Sequence, residues 1–303
     1  MNSADLRDLI LLAALWGGSF LFMRVAVPAF GAIPLIELRV LFATLVLLPL
    51  LLRSGQLAGL RSYARPMLVV GLINSALPFC LFAYAMLDLT SGVTAIINAT
   101  APLFGALIAS LLRVERLTAA RCCGLFLGFA GVVGLIASQG RLNFDGGGLP
   151  VLAALGGAMC YGIAANYSSR KLAGVAPLVI AAGSQLAATA LLLPLALYSW
   201  PTVLPSAGDW ASVLVLGVAC TGFAYLLYFR LINNLGATGG VSVTFLIPAF
   251  AMGWGALLID EPITPAMLAC CGLILLGTAL SIGILRPGFL RLRRTVEPSL
   301  RQQ

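Results

Sequence analysis

The sequence predicts an all-α integral membrane protein with ten transmembrane helices, arranged as two five-helix repeats of inverted topology. Three observations carry this reading. Of 303 residues, 61% are hydrophobic and 9% charged, against roughly 25% charged in an ordinary soluble domain. The apolar residues fall in runs of about twenty, the length a helix needs to cross a hydrocarbon core of roughly 30 Å. Finally, the sequence matches itself when shifted by 146 residues, Pro102 falling on Pro248 and Glu115 on Glu261.

In the first half, spans are expected near 8–28, 34–52, 66–86, 90–112 and 118–138. In the second they are expected near 149–168, 177–199, 209–231, 238–259 and 265–285. Each run is continuously apolar rather than alternating, so helices and not barrel strands follow. The first run begins too early, and lacks a small-residue cleavage site, for a removed signal peptide, and reads as an uncleaved signal-anchor. The expected units are 1–142, 143–286 and a basic cytoplasmic tail, 287–303.

The net charge of +8 is explained by topology. With the N-terminus inside, the cytoplasmic segments collect Arg7, Arg53, Arg61, Arg65, Arg113, Arg116, Arg121, Arg170, Lys171, Arg230, Arg286, Arg291, Arg293, Arg294 and Arg301. The outer loops collect Arg141 alone, while Arg24 and Arg39 fall in or at the ends of spans. This is the positive-inside pattern of a multi-pass protein of the cell membrane with both termini cytoplasmic. The expected partners are the lipid bilayer and a small-molecule substrate, with no nucleic acid.

The repeat extends beyond the two prolines. Thr118 falls on Thr264, Gly71 on Gly217, Phe79 on Tyr225, Phe82 on Tyr228, Gly131 on Gly277 and Arg39 on Gln185. Five spans per unit is an odd number, so the second unit enters the membrane upside down. The charges agree: the loop after the fourth span carries Arg113, Arg116 and Arg121, and its counterpart after the ninth carries Asp260 and Glu261. Inverted repeats of this kind build secondary transporters, whose halves rock about a central site.

Candidate site residues follow from polar groups inside the spans. Pro102 and Pro248 cannot donate to the carbonyls of Asn98 and Thr244. These acceptors must find protein, water or substrate. The two prolines are therefore candidate hinges, and Asn98 and Thr244 candidate ligands; simple bends satisfied by neighbouring hydroxyls are the alternative. On the eighth span Thr221, Tyr225 and Tyr228 share one face, aromatic walls with hydroxyl groups. Trp16, Ser19, Asn74, Tyr161 and Asn166 supply similar groups, single aromatic residues near span ends also serving as interface anchors.

Arg39 lies about five residues inside the second span and needs a partner or water. Glu37, Asp260, Glu261 and a substrate carboxylate are the candidates, and snorkelling to the outer surface is the alternative. No acidic residue is expected deep within a span and the chain has no histidine, which argues against a proton relay. Gly124, Gly128 and Gly131 in the fifth span, and Ala279 and Gly283 in the tenth, form small-residue faces. They serve packing within the chain or a homodimer.

In its motifs the chain resembles the drug/metabolite transporter superfamily, in particular the EamA-like branch. The matching residues are W-G-G-S at Trp16 to Ser19, E-L-R at Glu37 to Arg39, A-P-L-F…V-E-R-L from Ala101 to Leu117, and I-P-A-F…D-E-P-I from Ile247 to Ile263. The resemblance implies a cavity lined by spans one to four and six to nine, with five and ten peripheral. It also implies efflux of amino acids, related metabolites or toxic compounds. Gln185 stands where a second arginine would match Arg39, so an anion contact should favour the first half.

Catalysis is not expected. The spans carry no zinc-protease motif and no paired acids, and the sole lysine, Lys171, lies at a span end beside Arg170. The seven cysteines form no C-x-x-C pair, so neither a metal nor a cofactor is expected. A metabolite importer of the same fold and a non-transporting scaffold or receptor remain alternatives to an exporter.

Overall fold

The computed structural model describes residues 3–114, 118–139 and 148–284. Glu115, Arg116, Arg141, Arg286 and the tail 287–303, all invoked above, lie outside the described residues. Within the described residues the regular elements are all helical. Nine helices are long and apolar enough to cross a bilayer: α1 (Ser3–Phe30), α2 (Ala32–Arg53), α3 (Ala64–Ala85), α4 (Ser91–Leu111), α5 (Ala119–Ser138), α6 (Gly148–Lys171), α7 (Pro177–Tyr198), α8 (Ala207–Leu235) and α9 (Ser242–Ile259). A further apolar helix, α10 (Pro265–Ser281), has 17 residues.

Local chemistry sets the helix ends. Gly31, at φ +75°, is the one residue between α1 and α2, a left-handed conformation that costs glycine little. Thr118 and Thr264, equivalent in the repeat, each cap the helix that follows, accepting from Arg121 N (3.3 Å) and Met267 N (3.2 Å). Thr90 does the same for α4 through Val93 N, and Ser206 and Asp209 form a reciprocal capping box at the start of α8. Such caps satisfy amides that the helix itself leaves without partners.

Three features depart from the expected spans. First, α1 begins at Ser3 and carries Asp5 and Asp8 buried within it, so acidic residues do lie inside a helix, where loops were expected. Second, α8 extends to Leu235 and α9 begins at Ser242, each a few residues beyond the expected boundary. The helices α8 and α9 point in opposite directions. Along α1, Asp8 meets Arg230, Trp16 meets Tyr228 and Phe30 meets Trp210 in descending order. Trp254 reaches Ala14, and Glu261 lies by Arg24, in ascending order. Third, α3 and α8 each contain a π-helical segment, Gly71–Ala76 and Val218–Phe223, at nearly equivalent places in the repeat.

The helix contacts of one half recur in the other with the partners exchanged. Gly71 of α3 lies against Ser184, Ala187 and Ala188 of α7, and Gly217 of α8 against Arg39 and Phe42 of α2. Gln185 of α7 donates to Ser75 Oγ of α3 at 2.9 Å, and Arg39 of α2 donates to Thr221 Oγ1 of α8 at 2.9 Å. Gly17 of α1 meets Phe250 and Ala251 of α9, while Gly162 of α6 meets Phe104 and Gly105 of α4.

The fifth and tenth helices form a pair of their own. Gly131 packs on Cys270 and Ile274, and Gly277 on Gly124 and Gly128. The fifth-helix glycines are thus met within one chain, letting two backbones approach closely, whereas a Cβ at Gly283 would meet nothing within 4 Å. The opposite side of α5 carries exposed Phe126 and Val133, as a lipid-facing helix should. The remaining helices surround the main core and a cavity.

Candidate substrate cavity

A cavity of about 590 Å³ lies among the helices. All nine candidate ligands border it: Trp16 and Ser19 of α1, Arg39 of α2, Asn74 of α3, Asn98 of α4, Tyr161 of α6, Tyr225 and Tyr228 of α8 and Thr244 of α9. Of the two candidate hinges, Pro102 is on the lining and Pro248 is not.

Arg39 is the main charged group of its inner part. The residue is 4% exposed, so it does not snorkel to the surface. Nε donates to Thr221 Oγ1 at 2.9 Å, Nη1 to Met23 Sδ at 3.3 Å, and Cζ stands 3.6 Å from the centre of the Phe79 ring. None of the carboxylates proposed as partners reaches it: Glu261 is engaged elsewhere, and Glu37 has no hydrogen bond among the described residues. A cation held by a hydroxyl, a thioether and an aromatic face keeps its full charge and open donors, and its cost falls if an anion joins it.

Aromatic rings build the walls. Trp16 and Tyr228 lie with ring centres 5.1 Å apart, Tyr161 packs on Phe82 at 5.8 Å, and Tyr225 stacks on Phe229 at 5.8 Å. Asn74 Nδ2 lies 3.5 Å from Tyr225 Oη, a long hydrogen bond that a ligand can compete with. Asn98 Oδ1 is buried with no hydrogen-bond partner among the described residues. Ser19 donates to Trp16 O at 2.6 Å, leaving its oxygen free only to accept. Asn166 is also on the lining, but its amide is spent bridging Gly105 O and Gly162 O at 2.9 Å each, which fixes α6 to α4.

The prolines act differently in the two halves. Helix α4 is interrupted at Ala99 and Thr100, and Pro102 opens the helix that resumes, Ala101–Leu111. Pro248 lies inside unbroken helix. On α8, the face of Thr221, Tyr225 and Tyr228 does line the cavity, whereas Gly217 one turn earlier packs on α2. The π-helical turn separates them: Thr221 Oγ1 donates to Leu216 O, five residues back, while accepting from Arg39.

The resemblance placed the seventh span on the lining, but α7 contributes no residue to it. Gln185, the counterpart of Arg39, is fully buried and bonded to Ser75. Conversely Arg121 of α5 and Ser281 of α10 border the mouth, together with Ser169 of α6. The lining therefore reaches the end of the bundle marked by Arg121, Arg170 and Lys171, and none of it lies at the other end.

At that other end the helices are tied together. Both oxygens of Glu261, just beyond α9, accept from Ser91 N at 3.0 Å, and Oε1 accepts from Ser91 Oγ at 3.3 Å. Arg24 Nε stands 3.8 Å from Glu261 Oε1, and Nη1 donates to the carbonyls of Met86 and Leu87. Glu261 thus caps the start of α4 from the opposite half. The D-E-P-I motif marked Glu261 in the sequence, but not what it touches.

Long apolar helices around a solute-sized cavity define a multi-pass membrane protein. The chain belongs to the EamA-like transporter family, whose pattern matches residues 9–137 and again 148–283. It is 23% identical over 279 residues to the uncharacterized transporter YoaV of Bacillus subtilis (strain 168), covering 88% of this chain and 94% of that one. The probable terminal-alkyne amino-acid exporter of Streptantibioticus cattleyicolor is 25% identical over 249 residues, 80% of this chain and 82% of its own. A solved crystal structure superposes with a TM-score of 0.65 at 23% identity, over 94% of this chain and 98% of the other, a likeness of fold.

Proposed function

We propose that this protein is a secondary transporter that exports small metabolites, such as amino acids or their derivatives, across the cytoplasmic membrane by alternating access. The observation that carries the reading is the cavity, about 590 Å³ with the buried cation Arg39 in its wall and no carboxylate paired to it among the described residues. That arrangement suits a carboxylate on a small amphipathic solute. Trp16, Tyr161, Tyr225 and Tyr228 would hold its apolar part, and Ser19, Asn74, Asn98 and Thr244 its polar groups.

The exchanged contacts and the twofold family match support ten spans in two inverted repeats, 1–142 and 143–286, before the tail 287–303. With both termini cytoplasmic, as the arginine distribution implies, the cavity mouth faces the cytoplasm and Glu261 closes the outside. Loading from within and the name of the Streptantibioticus relative support export. Pro102 and Pro248 are the proposed hinges, the break in α4 being the more pliant.

The test is uptake and counterflow of a labelled amino-acid panel in liposomes holding the purified protein. Saturable counterflow is expected. A protein that carries none of these compounds above empty liposomes, and whose cysteines introduced at Asn98 and Tyr225 stay unlabelled in every condition, is a sealed scaffold and not a carrier.

A further inference from the structure

Among the described residues three carboxylates are buried inside helices: Asp5, Asp8 and Glu37. The first two have partners. Asp5 accepts from Asn234 Nδ2 at 2.9 Å, and Asp8 pairs with Arg230 Nε at 3.2 Å. Glu37 is 2% exposed and neither of its oxygens has a hydrogen-bond partner. It stands about 8 Å along α2 from the helix start, counting 1.5 Å per residue.

No ion pair reaches it from the helices packed on α2. The third helix brings Cys80, half-buried, and Tyr84, which is exposed. The seventh has no charged residue, and its Tyr198 is 94% exposed. The eighth brings Asp209, held in its capping box, Cys220 and Thr221 on the cavity wall, Tyr225 and Tyr228 further along it, and Arg230 on Asp8. On α1, Arg7 lies by Asp8 and Arg24 by Glu261. Arg39, two residues along α2, is committed to Thr221, Met23 and Phe79.

An ionised carboxylate without water, donor or counter-ion costs several kcal/mol, and a neutral acid costs far less. We propose that Glu37 is a proton-binding site of the transport cycle, protonated in this conformation and releasing its proton when α2 moves and water reaches it. Release breaks the carboxyl O–H bond and passes the proton to water, leaving the carboxylate. Rebinding on the other side of the cycle restores it.

Position on the chain makes coupling direct. Glu37 and Arg39 share one stretch of backbone, with Arg39 in the cavity and Glu37 in the wall behind. A solute anion that shifts Arg39 therefore shifts Glu37. The π-helical turn of α8 lies beside this stretch, Thr221 bonded to Arg39 and Gly217 against its carbonyl, and π-turns are local irregularities that a helix can resolve as it moves. The coupling rests on the transporter reading; the protonation does not.

Two measurements decide it. Infrared difference spectra of the membrane-reconstituted protein against Glu37→Gln, at neutral pH, should show a protonated-carboxyl C=O band that the variant lacks. Glu37→Gln, which mimics the neutral acid, should melt as the parent does. In liposomes with the labelled amino-acid panel, the variant should keep gradient-free counterflow and lose its response to a pH gradient. Absence of the band overturns the protonated site. Counterflow that ignores the gradient in the parent, or still responds to it in Glu37→Gln, overturns the coupling and leaves the carrier reading standing. No counterflow by the parent overturns the amino-acid reading, while the band still decides the proton site.

Discussion

Gly277 of α10 gives the sharpest test of the packing. A Cβ placed there would sit 2.4 Å from Gly128 N and 2.6 Å from Gly124 O. Ordinary carbon contacts need at least about 3.4 Å, and both obstacles are backbone, which no rotamer change can move aside. Gly277→Ala must therefore push α5 and α10 apart by about 1 Å, a gap that forfeits a quarter to a half of each dispersion contact along the seam. Overpacking of this kind costs about 1–3 kcal/mol. Its counterpart Gly131 meets Ile274 Cγ1 first, at 2.8 Å, a side-chain atom that can turn away, so Gly131→Ala should cost less. Gly272→Ala meets nothing within 4 Å and should be nearly silent. Thermal unfolding of the three variants in one detergent ranks them: Gly277 worst, Gly131 intermediate, Gly272 near the parent. Equal melting of Gly277→Ala and Gly272→Ala would refute the close backbone approach.

Three further outcomes are expected. Arg39→Met removes a buried cation that has no carboxylate partner among the described residues, so the protein should melt no lower than the parent while losing transport of the amino-acid substrate; retained transport would remove Arg39 from the site. Gln185→Ala breaks the Ser75 bond, worth about 1 kcal/mol, and should lower stability but not substrate affinity, since α7 stays off the lining; a raised KM with unchanged melting would count against this. Glu261→Ala strips the cap from Ser91 N, a charge-assisted bond worth about 1.5–3 kcal/mol. With the exposed Cys122 and Cys123 replaced, labelling of Asn98→Cys by an impermeant reagent from the Glu261 side should rise, and unchanged labelling would mean that Glu261 does not hold that end shut.

The membrane spans were legible because a bilayer demands long apolar runs, a signal carried by composition alone. The candidate ligands were legible for the converse reason: polar groups such as Asn74 and Asn98 stand out in an apolar run, and the cavity gathers them all. What escaped were facts about neighbours. Nothing in the periodicity of α2 shows that Glu37 lacks a partner, or that Arg39 finds Met23 and Phe79 and no acid. Gln185 matched Arg39 in the repeat, yet which side of α7 meets Ser75 depends on helix rotation. The π-turns of α3 and α8 also left no local mark, because a one-residue slip arises where glycine lets another helix press close.

The shortness of α10 bears on the lipid around it. Seventeen residues rise about 26 Å at 1.5 Å each, less than a typical hydrocarbon thickness of roughly 30 Å. Its outward Leu268, Leu273 and Leu276 form a low apolar wall, beside which acyl chains must shorten or bend inward. The molecule would then sit in a bilayer that is dimpled on one flank, and would favour membranes of shorter chains, where that dimple costs least.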